Sequence, residues 1–346
     1  MADGNLLLER QLLRGTRWRR IAGAMLRALG RVPLSRDSAV KWAIVAAMIL
    51  VDAVLFAAKG LEFPPSNALL PLVYIALLAV PAVYYYRRRE LNFVLCLTTL
   101  ILTIAFLPPF TLLMYATATL GRPLVDATLA DCDRWLGVSV PAIRDWTLAH
   151  PAVQLIFDLA YGGLLYQLPL IVIVLGLRGE RRRLENFVLQ DMLAALITLS
   201  AFAFVPAAGP FAHYGYEPSA DQSRYLEHFH GLRGGERRVV NLHDAEGLVT
   251  CPSFHTSEAI LMALAFRGHR IWFAVFGTLN LLVAASTMTT GWHYFTDVLA
   301  GVAVALLAMG VVRWATPWRY ASVAEFARIP AVRPPDFLRS QLRDQE

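Results

Sequence analysis

Charge is what this sequence has least of. Asp, Glu, Lys and Arg make up 17% of its 346 residues, against roughly a quarter in a soluble domain, while 57% are hydrophobic and the mean hydropathy is +0.49. So little charge cannot coat a soluble surface of this size, which excludes a soluble two-domain enzyme. Lysine is nearly missing, with two lysines beside 30 arginines. Cysteine is scarce as well. Cys96, Cys132 and Cys251 are too few for a disulfide framework, and none belongs to a Cys-x-x-Cys pair, which argues against structural zinc and leaves at most one bridge, Cys132 to Cys251. The net charge of +6 would point to nucleic acid in a soluble chain. Here the arginines punctuate apolar runs instead, so nucleic acid is not an expected partner.

Those runs are the dominant signal. A bilayer crossing takes about 20 apolar residues, and eight candidate spans recur, over 39–58, 67–86, 91–119, 152–177, 185–206, 254–267, 271–291 and 295–315. The sixth is short for a full crossing. Arg87-Arg88-Arg89, Arg178 with Arg181-Arg182-Arg183, and Arg267 with Arg270 lie in alternate connections. With the N-terminus in the cytoplasm, 24 of the 32 basic residues fall on the inner side, as the positive-inside rule requires. An even number of spans returns the C-terminus to the same side. The fold class expected is therefore all-α, a polytopic membrane helical bundle.

The segments between and around the spans divide the chain further. Residues 1–38 carry eight arginines among leucines and isoleucine and read as a basic amphipathic segment on the cytoplasmic membrane face, with an organelle transit peptide as the alternative. Residues 39–119 hold the N-terminal spans. Residues 120–150 mix apolar and charged positions at helical spacing and predict one or two interfacial helices on the outer side. Residues 151–315 form the expected catalytic membrane portion, and 316–346 a polar cytoplasmic tail. Within the catalytic portion, residues 207–253 make a long polar, Gly-rich and aromatic outer loop, a length that points to function.

Two short segments carry chemistry. In Cys251-Pro252-Ser253-Phe254-His255, Ser253 stands where a helix begins. A helix start offers free N–H groups and the positive end of its dipole to an anion, and His255 lies in that first turn. In Gly291-Trp292-His293-Tyr294-Phe295-Thr296-Asp297, His293 and Asp297 are four apart, so a helical backbone puts both on one face. Asp297 can then hold the Nδ1 proton of His293 and leave Nε2 as a nucleophile. A purely structural reading is a capping serine, a solvated histidine and a His–Asp contact at a helix end. Because both segments fall on the outer side of the charge-derived topology, phosphoryl transfer is the stronger expectation: one His attacks, the other gives a proton to the leaving alkoxide, and the helix end holds phosphate oxygens.

These segments resemble the second and third signature motifs of the type 2 phosphatidic acid phosphatase superfamily of integral membrane enzymes. Val205-Pro206-Ala207-Ala208-Gly209-Pro210 is similar to a Pro-Ala-rich segment of its inositol phosphorylceramide synthase branch. The resemblance covers residues 200–301, extends faintly over Asp158 to Gly163, and implies His293 as nucleophile, Asp297 as its orienting partner and His255 as the acid and later base, with Ser253 binding phosphate; Tyr161, in the faint stretch, is a further substrate-binding candidate. The superfamily's first motif, Lys followed after six residues by Arg-Pro, is absent in that form; the nearest string runs from Tyr115 to Arg122-Pro123. Arg122, Arg237 and Arg238 are therefore the candidates to supply the charge that the motif would provide. Fewer clamp cations suit a monoanionic phosphodiester better than a dianionic monoester.

The function expected is transfer of an inositol phosphate-type headgroup from a membrane phospholipid to a lipid hydroxyl through a phosphohistidine, without metal or other cofactor. The alternative within the same chemistry is a lipid phosphate phosphatase with water as acceptor, acting on phosphatidate or a polyprenyl diphosphate. The membrane expected is the bacterial inner membrane, with the site on the periplasmic side. His228, His230 and His243 lack the spacing of a metal site. Asp52, Asp158 and Asp191 suit interhelical hydrogen bonding or an ion path, but the repeated halves of a transporter are not evident. Headgroup, acyl chains and oligomeric state are not legible.

Overall fold

The computed structural model describes residues 36–315. The expected tail over 316–346, and the basic segment over 1–38 up to its last three residues, lie outside the described residues. The chain runs through α1 (Arg36–Lys59), α2 (Leu69–Arg88), α3 (Leu91–Ala118), α4 (Asp126–Trp135), α5 (Val140–Leu148), α6 (Pro151–Leu177), α7 (Arg181–Phe204), α8 (Pro210–His213), α9 (Ala220–Gly234), α10 (Phe254–Ala265), α11 (Arg270–Thr289) and α12 (Phe295–Ala315). The described residues form an all-α polytopic bundle without strands. Of these helices, seven are long and apolar enough to cross a membrane: α1, α2 extended back to Pro65, α3, α6, α7, α11 and α12.

The sixth expected span, over 254–267, is α10, and it is the exception. Its 12 residues rise about 18 Å, well short of a hydrocarbon core of about 30 Å. It nevertheless links the two ends of the bundle. At its C-terminal end Arg183, in the arginine-rich first turn of α7, donates to the carbonyls of Ala265 and Arg267. At its N-terminal end it is pressed against α12. A Cβ on Gly301 would lie 2.4 Å from the Ser253 carbonyl oxygen and 3.0 Å from Thr256 Cβ, so only glycine lets the two backbones approach this closely. Gly301 is six residues into α12, so α10 starts about 9 Å inside the end of its neighbour.

The core is centred on α7. Leu184, Phe187, Ala194 and Ala195 from this helix pack with Ile171 and Leu175 of α6, Met262 of α10, Phe266 just beyond it, and Ala305 and Ala308 of α12, all essentially inaccessible. Alanines on α7 and α12 permit the close approach that helices need where lipid offers no hydrophobic contrast. Polar contacts fix pairings: Asn280 of α11 donates to Gln167 of α6 (2.7 Å), and Lys41 of α1 pairs with Glu185 of α7. Among the described residues the expectation of interhelical hydrogen bonding is not met at Asp52, whose two carboxylate oxygens are buried with no partner there; Asp191 has one such oxygen, and Asp158 is exposed on α6. Beyond α1, Glu62 exchanges backbone hydrogen bonds with Arg238 and Val240 (2.8 and 2.9 Å), and Asn67 bonds Asn241 and Leu242, so the α1–α2 connection grips the segment after α9.

The Gly301 contact gives a direct test. Gly301→Ala forces its methyl against a carbonyl oxygen that belongs to backbone, and such overpacking costs about 1–3 kcal/mol. Thermal unfolding in detergent should show a midpoint several degrees lower, whereas Gly310→Ala, with open space around its Cα, should match the parent.

Candidate active site

The loop carrying His293 is held from outside the bundle by two acids of α4. Asp126 and Asp133 are seven residues apart, two helical turns, and so share the face that also buries Leu129 and Ala130. The Asp133 carboxylate accepts from the N–H groups of Phe295 (2.9 Å) and Thr296 (2.8 Å) and from the Thr296 hydroxyl (2.6 Å). It thereby caps α12 from another helix. Asp126 accepts from the N–H groups of Ala208 (2.9 Å) and Gly209 (2.8 Å) and from the Tyr294 hydroxyl (3.1 Å). One carboxylate thus joins the Pro-Ala-rich segment to the residue after His293. Gly209 adopts φ +105°, where a Cβ would come within 3.1 Å of the Trp292 carbonyl oxygen, and Phe211 donates to the Gly291 carbonyl.

Within this frame the two histidines meet. His293 is buried, and its Nε2 stands 3.4 Å from Nδ1 of His255 in the first turn of α10. His293 Nδ1 faces Asp297 Oδ2 at 3.6 Å, inside ion-pair range and longer than a strong hydrogen bond. His293 itself lies just before α12 rather than on it. The same Asp297 oxygen, Oδ2, accepts from the Tyr294 N–H (3.0 Å), which holds the carboxylate toward its own helix end. His293 Nδ1 is buried without a hydrogen-bond partner among the described residues, and a proton on it would face the Asp297 carboxylate. Tyr161 stacks on the His255 ring with centroids 4.9 Å apart. Ser253 is fully buried as the N-cap of α10, its Oγ accepting from Thr256 N–H (3.3 Å) and its own N–H donating to the Asp297 carbonyl (3.1 Å). Burial raises the Cys251 thiol pKa, and the nearby Asp297 carboxylate raises it further. Burial beside Asp126 likewise pushes the Tyr294 phenol up. Both side chains stay neutral next to the acids. Cys132 and Cys251 are free thiols.

The other expected substrate-binding residues are elsewhere in the polar end of the molecule. Arg237 pairs with Asp244 (3.0 Å) and Glu227 (3.5 Å), Arg238 is exposed and reaches the Gly235 carbonyl, and Arg122 is exposed with its carbonyl bound by Arg233. None of these interactions reaches His255 or His293. His228 is bound through Nδ1 to the Tyr115 hydroxyl (2.7 Å), and among the described residues no group of three or more His, Cys, Asp or Glu side chains is placed to hold a metal.

The segment over 207–253 is more ordered than a loop. Its centre is α9, opened by a reciprocal capping box between Ser219 and Gln222 and closed by Gly235 at φ +77°. Ser219-x-x-Gln222 is the sequence signal for that helix. Tyr225 and Phe229 of α9 pack with Phe211 and Trp292, forming an aromatic layer beside the His293 loop. The sequence reading also passed over Asp126 and Asp133; their signal is the spacing of seven with apolar residues between.

Two predictions follow from this frame. Asp126→Asn leaves an amide facing backbone donors, and a buried donor without an acceptor costs about 1–3 kcal/mol; thermal unfolding in detergent should show the loss, and turnover should fall with it. The second concerns pH. The Glu246 N–H donates to the Tyr115 hydroxyl (2.8 Å), which leaves the phenolic proton for His228 Nδ1 and requires that histidine to be neutral. Burial, assisted by Arg237, lowers its pKa below the ordinary 6.5. The unfolded chain therefore takes up a proton before the folded one, so this contribution is complete above pH 6.5 and declines as pH drops below it. Unfolding midpoints measured from pH 8 to 5 should decline less steeply in His228→Gln.

No curated protein and no solved structure matches the chain. The sequence profile described as the PAP2 superfamily matches residues 127–311, which include Asp133 and the rest of α4 after Asp126, the Pro-Ala-rich segment and both histidines. That match spans more than half of the 346 residues, and the chain belongs to the PAP2 superfamily.

Proposed function

We infer that this chain is a lipid phosphatase or phosphotransferase, as members of the PAP2 superfamily typically are. We propose that it transfers a phosphoryl headgroup of the inositol phosphate type from a phospholipid to a lipid hydroxyl, with His293 as the nucleophile. The observation that carries this reading is the approach of His293 Nε2 to His255 Nδ1 at 3.4 Å, with Asp297 behind His293. The two nitrogens part to admit a phosphodiester. His293 Nε2 forms a bond to phosphorus while the bond from phosphorus to the diacylglycerol oxygen breaks. Once the negative charge of the phosphodiester lies between the rings and favours its protonated form, His255 gives its proton to the leaving alkoxide. In the second half the acceptor hydroxyl attacks phosphorus, His255 takes the hydroxyl proton, and the nitrogen–phosphorus bond breaks. Asp297 orients His293 and stabilises its cationic form; Tyr161 keeps the His255 ring in place, and Ser253 sets the start of α10 against the phosphate. No metal enters these steps.

A phosphatase uses the same first half with water in the second. The aromatic layer of Phe211, Tyr225, Phe229 and Trp292 favours transfer, because a phosphohistidine that waits for a lipid alcohol needs water kept away.

His293→Ala should abolish turnover with folding retained, and Asp297→Asn should leave a trace, since an orienting group does not react. Both are read with a phosphatidylinositol donor in detergent containing excess EDTA, with and without diacylglycerol or ceramide. Headgroup phosphate on the added lipid in excess of free inositol phosphate supports transfer. Release of inorganic phosphate from phosphatidate, indifferent to acceptor lipid, would replace transfer by hydrolysis.

A further inference from the structure

A phosphodiester brings a negative charge to the His pair, and the arginines near that end of the bundle are mostly committed. Arg134 is paired with Asp131, Arg224 with Asp221 and Glu246, and Arg237 with Asp244 and Glu227; Arg233 binds the Arg122 carbonyl and Arg238 the Gly235 carbonyl. Arg144 of α5 differs. Its side chain is 22% exposed, and the one carboxylate near it, Asp145, is 3.8 Å away and 72% exposed. It makes no hydrogen bond with the described residues. Its guanidinium carbon instead lies 4.1 Å over the Tyr216 ring. The Tyr216 hydroxyl is buried and also has no hydrogen-bond partner among the described residues.

The two side chains converge on the loop that carries His293. A Cβ on Gly291 would stand 3.5 Å from Tyr216 Cδ2 and 3.7 Å from Arg144 Cδ. Gly291 has φ +80° and lies two residues before His293. Helix α5 packs over α11 and α6, the helices that lead into this loop and carry Tyr161. Ser139 caps α5, which fixes the helix that presents Arg144. A half-buried arginine whose nearest carboxylate is beyond hydrogen-bonding distance, beside an orphaned phenol, is a receptor for an anion with several acceptor oxygens.

We propose that Arg144, assisted by the Tyr216 hydroxyl, binds the headgroup phosphate of the donor and selects a singly charged phosphodiester over a doubly charged monoester. The inference rests on the phosphotransfer reading and names the cation that reading leaves unassigned. One guanidinium neutralises one charge, and Arg134, Arg224 and Arg237 would have to break their own ion pairs to neutralise a second. The stacking on Tyr216 keeps the guanidinium plane fixed, which lysine cannot reproduce.

The test separates binding from turnover by using the full chain with His293→Ala, which cannot consume its donor. Binding of dioctanoyl-phosphatidylinositol and dioctanoyl-phosphatidate is measured calorimetrically in detergent, then repeated after adding Arg144→Gln, Arg144→Lys, Tyr216→Phe or Arg237→Gln. The expected result is tighter binding of the phosphodiester, weakened about tenfold or more by Arg144→Gln. Arg144→Lys should lose less, Tyr216→Phe a few-fold, and Arg237→Gln nothing. In otherwise unaltered protein, Arg144→Lys should raise KM for the donor more than it lowers kcat. Phosphodiester binding unchanged within twofold in folded Arg144→Gln or Arg144→Lys would overturn the role of Arg144 and leave the His293 reading intact. Equal or tighter binding of the monoester would overturn the selectivity. Absence of any phospholipid binding by the His293→Ala chain would refute the proposed function together with this inference.

Discussion

The histidine pair depends on an interaction that neither histidine makes. Asp126 and Asp133, on one face of a ten-residue helix that does not cross the bundle, accept six hydrogen bonds from the two segments that surround His293. Such charge-assisted bonds are short and directional, and both acids are buried, so their donors have no water to fall back on. The consequence is a loop of fixed shape on a scaffold of long helices that slide and tilt more easily than a hydrogen-bonded loop deforms. Asp297 contributes from inside by bonding the Tyr294 N–H. The position of His293 is thereby determined from α4 and from α12 at once.

On the other side of the pair, His255 is set by packing. Gly301 admits the start of α10 against α12, Ser253 closes the first turn, and Tyr161 supports the imidazole face. The two histidines thus arrive on separate structures with different kinds of support, a polar clamp for one and a close helix crossing for the other. Their 3.4 Å separation is set by how these two supports meet at Asp297, whose carbonyl receives the Ser253 N–H and whose side chain faces His293.

Much of this was legible because a bilayer imposes strong rules. Arginine clusters such as Arg87-Arg88-Arg89 interrupt apolar runs so sharply that the ends of α2, α6 and α11 lie within a few residues of the expected spans. The spacing from His293 to Asp297 and the cap at Ser253 are local, and local chemistry survives folding. The acids of α4 were hidden because their partners are some 80 and 160 residues away in sequence; only the spacing of seven from Asp126 sets Asp133 apart from the exposed Asp131. The helix over Ala220–Gly234 was hidden for another reason. Its polar composition masks a periodicity that its capping box and terminal glycine nonetheless announce. The arginine pairings of the polar end follow from tertiary placement, which is why Arg237 and Arg238 drew attention that Arg144 did not.

The shortness of α10 has an electrostatic consequence. A helix that began level with its neighbours would open into water, where its dipole is screened within a few ångströms. This one opens about 9 Å inside α12, behind Tyr294 and beneath α4, with Ser253 wholly inaccessible. Around such an end the effective dielectric constant falls from that of water toward 20 or below, and the same partial charge on the first N–H groups acts on a nearby anion with severalfold greater energy. A recessed helix start therefore adds a source of positive potential to that of any basic side chain nearby, and salt in the surrounding medium screens it less than an exposed helix end.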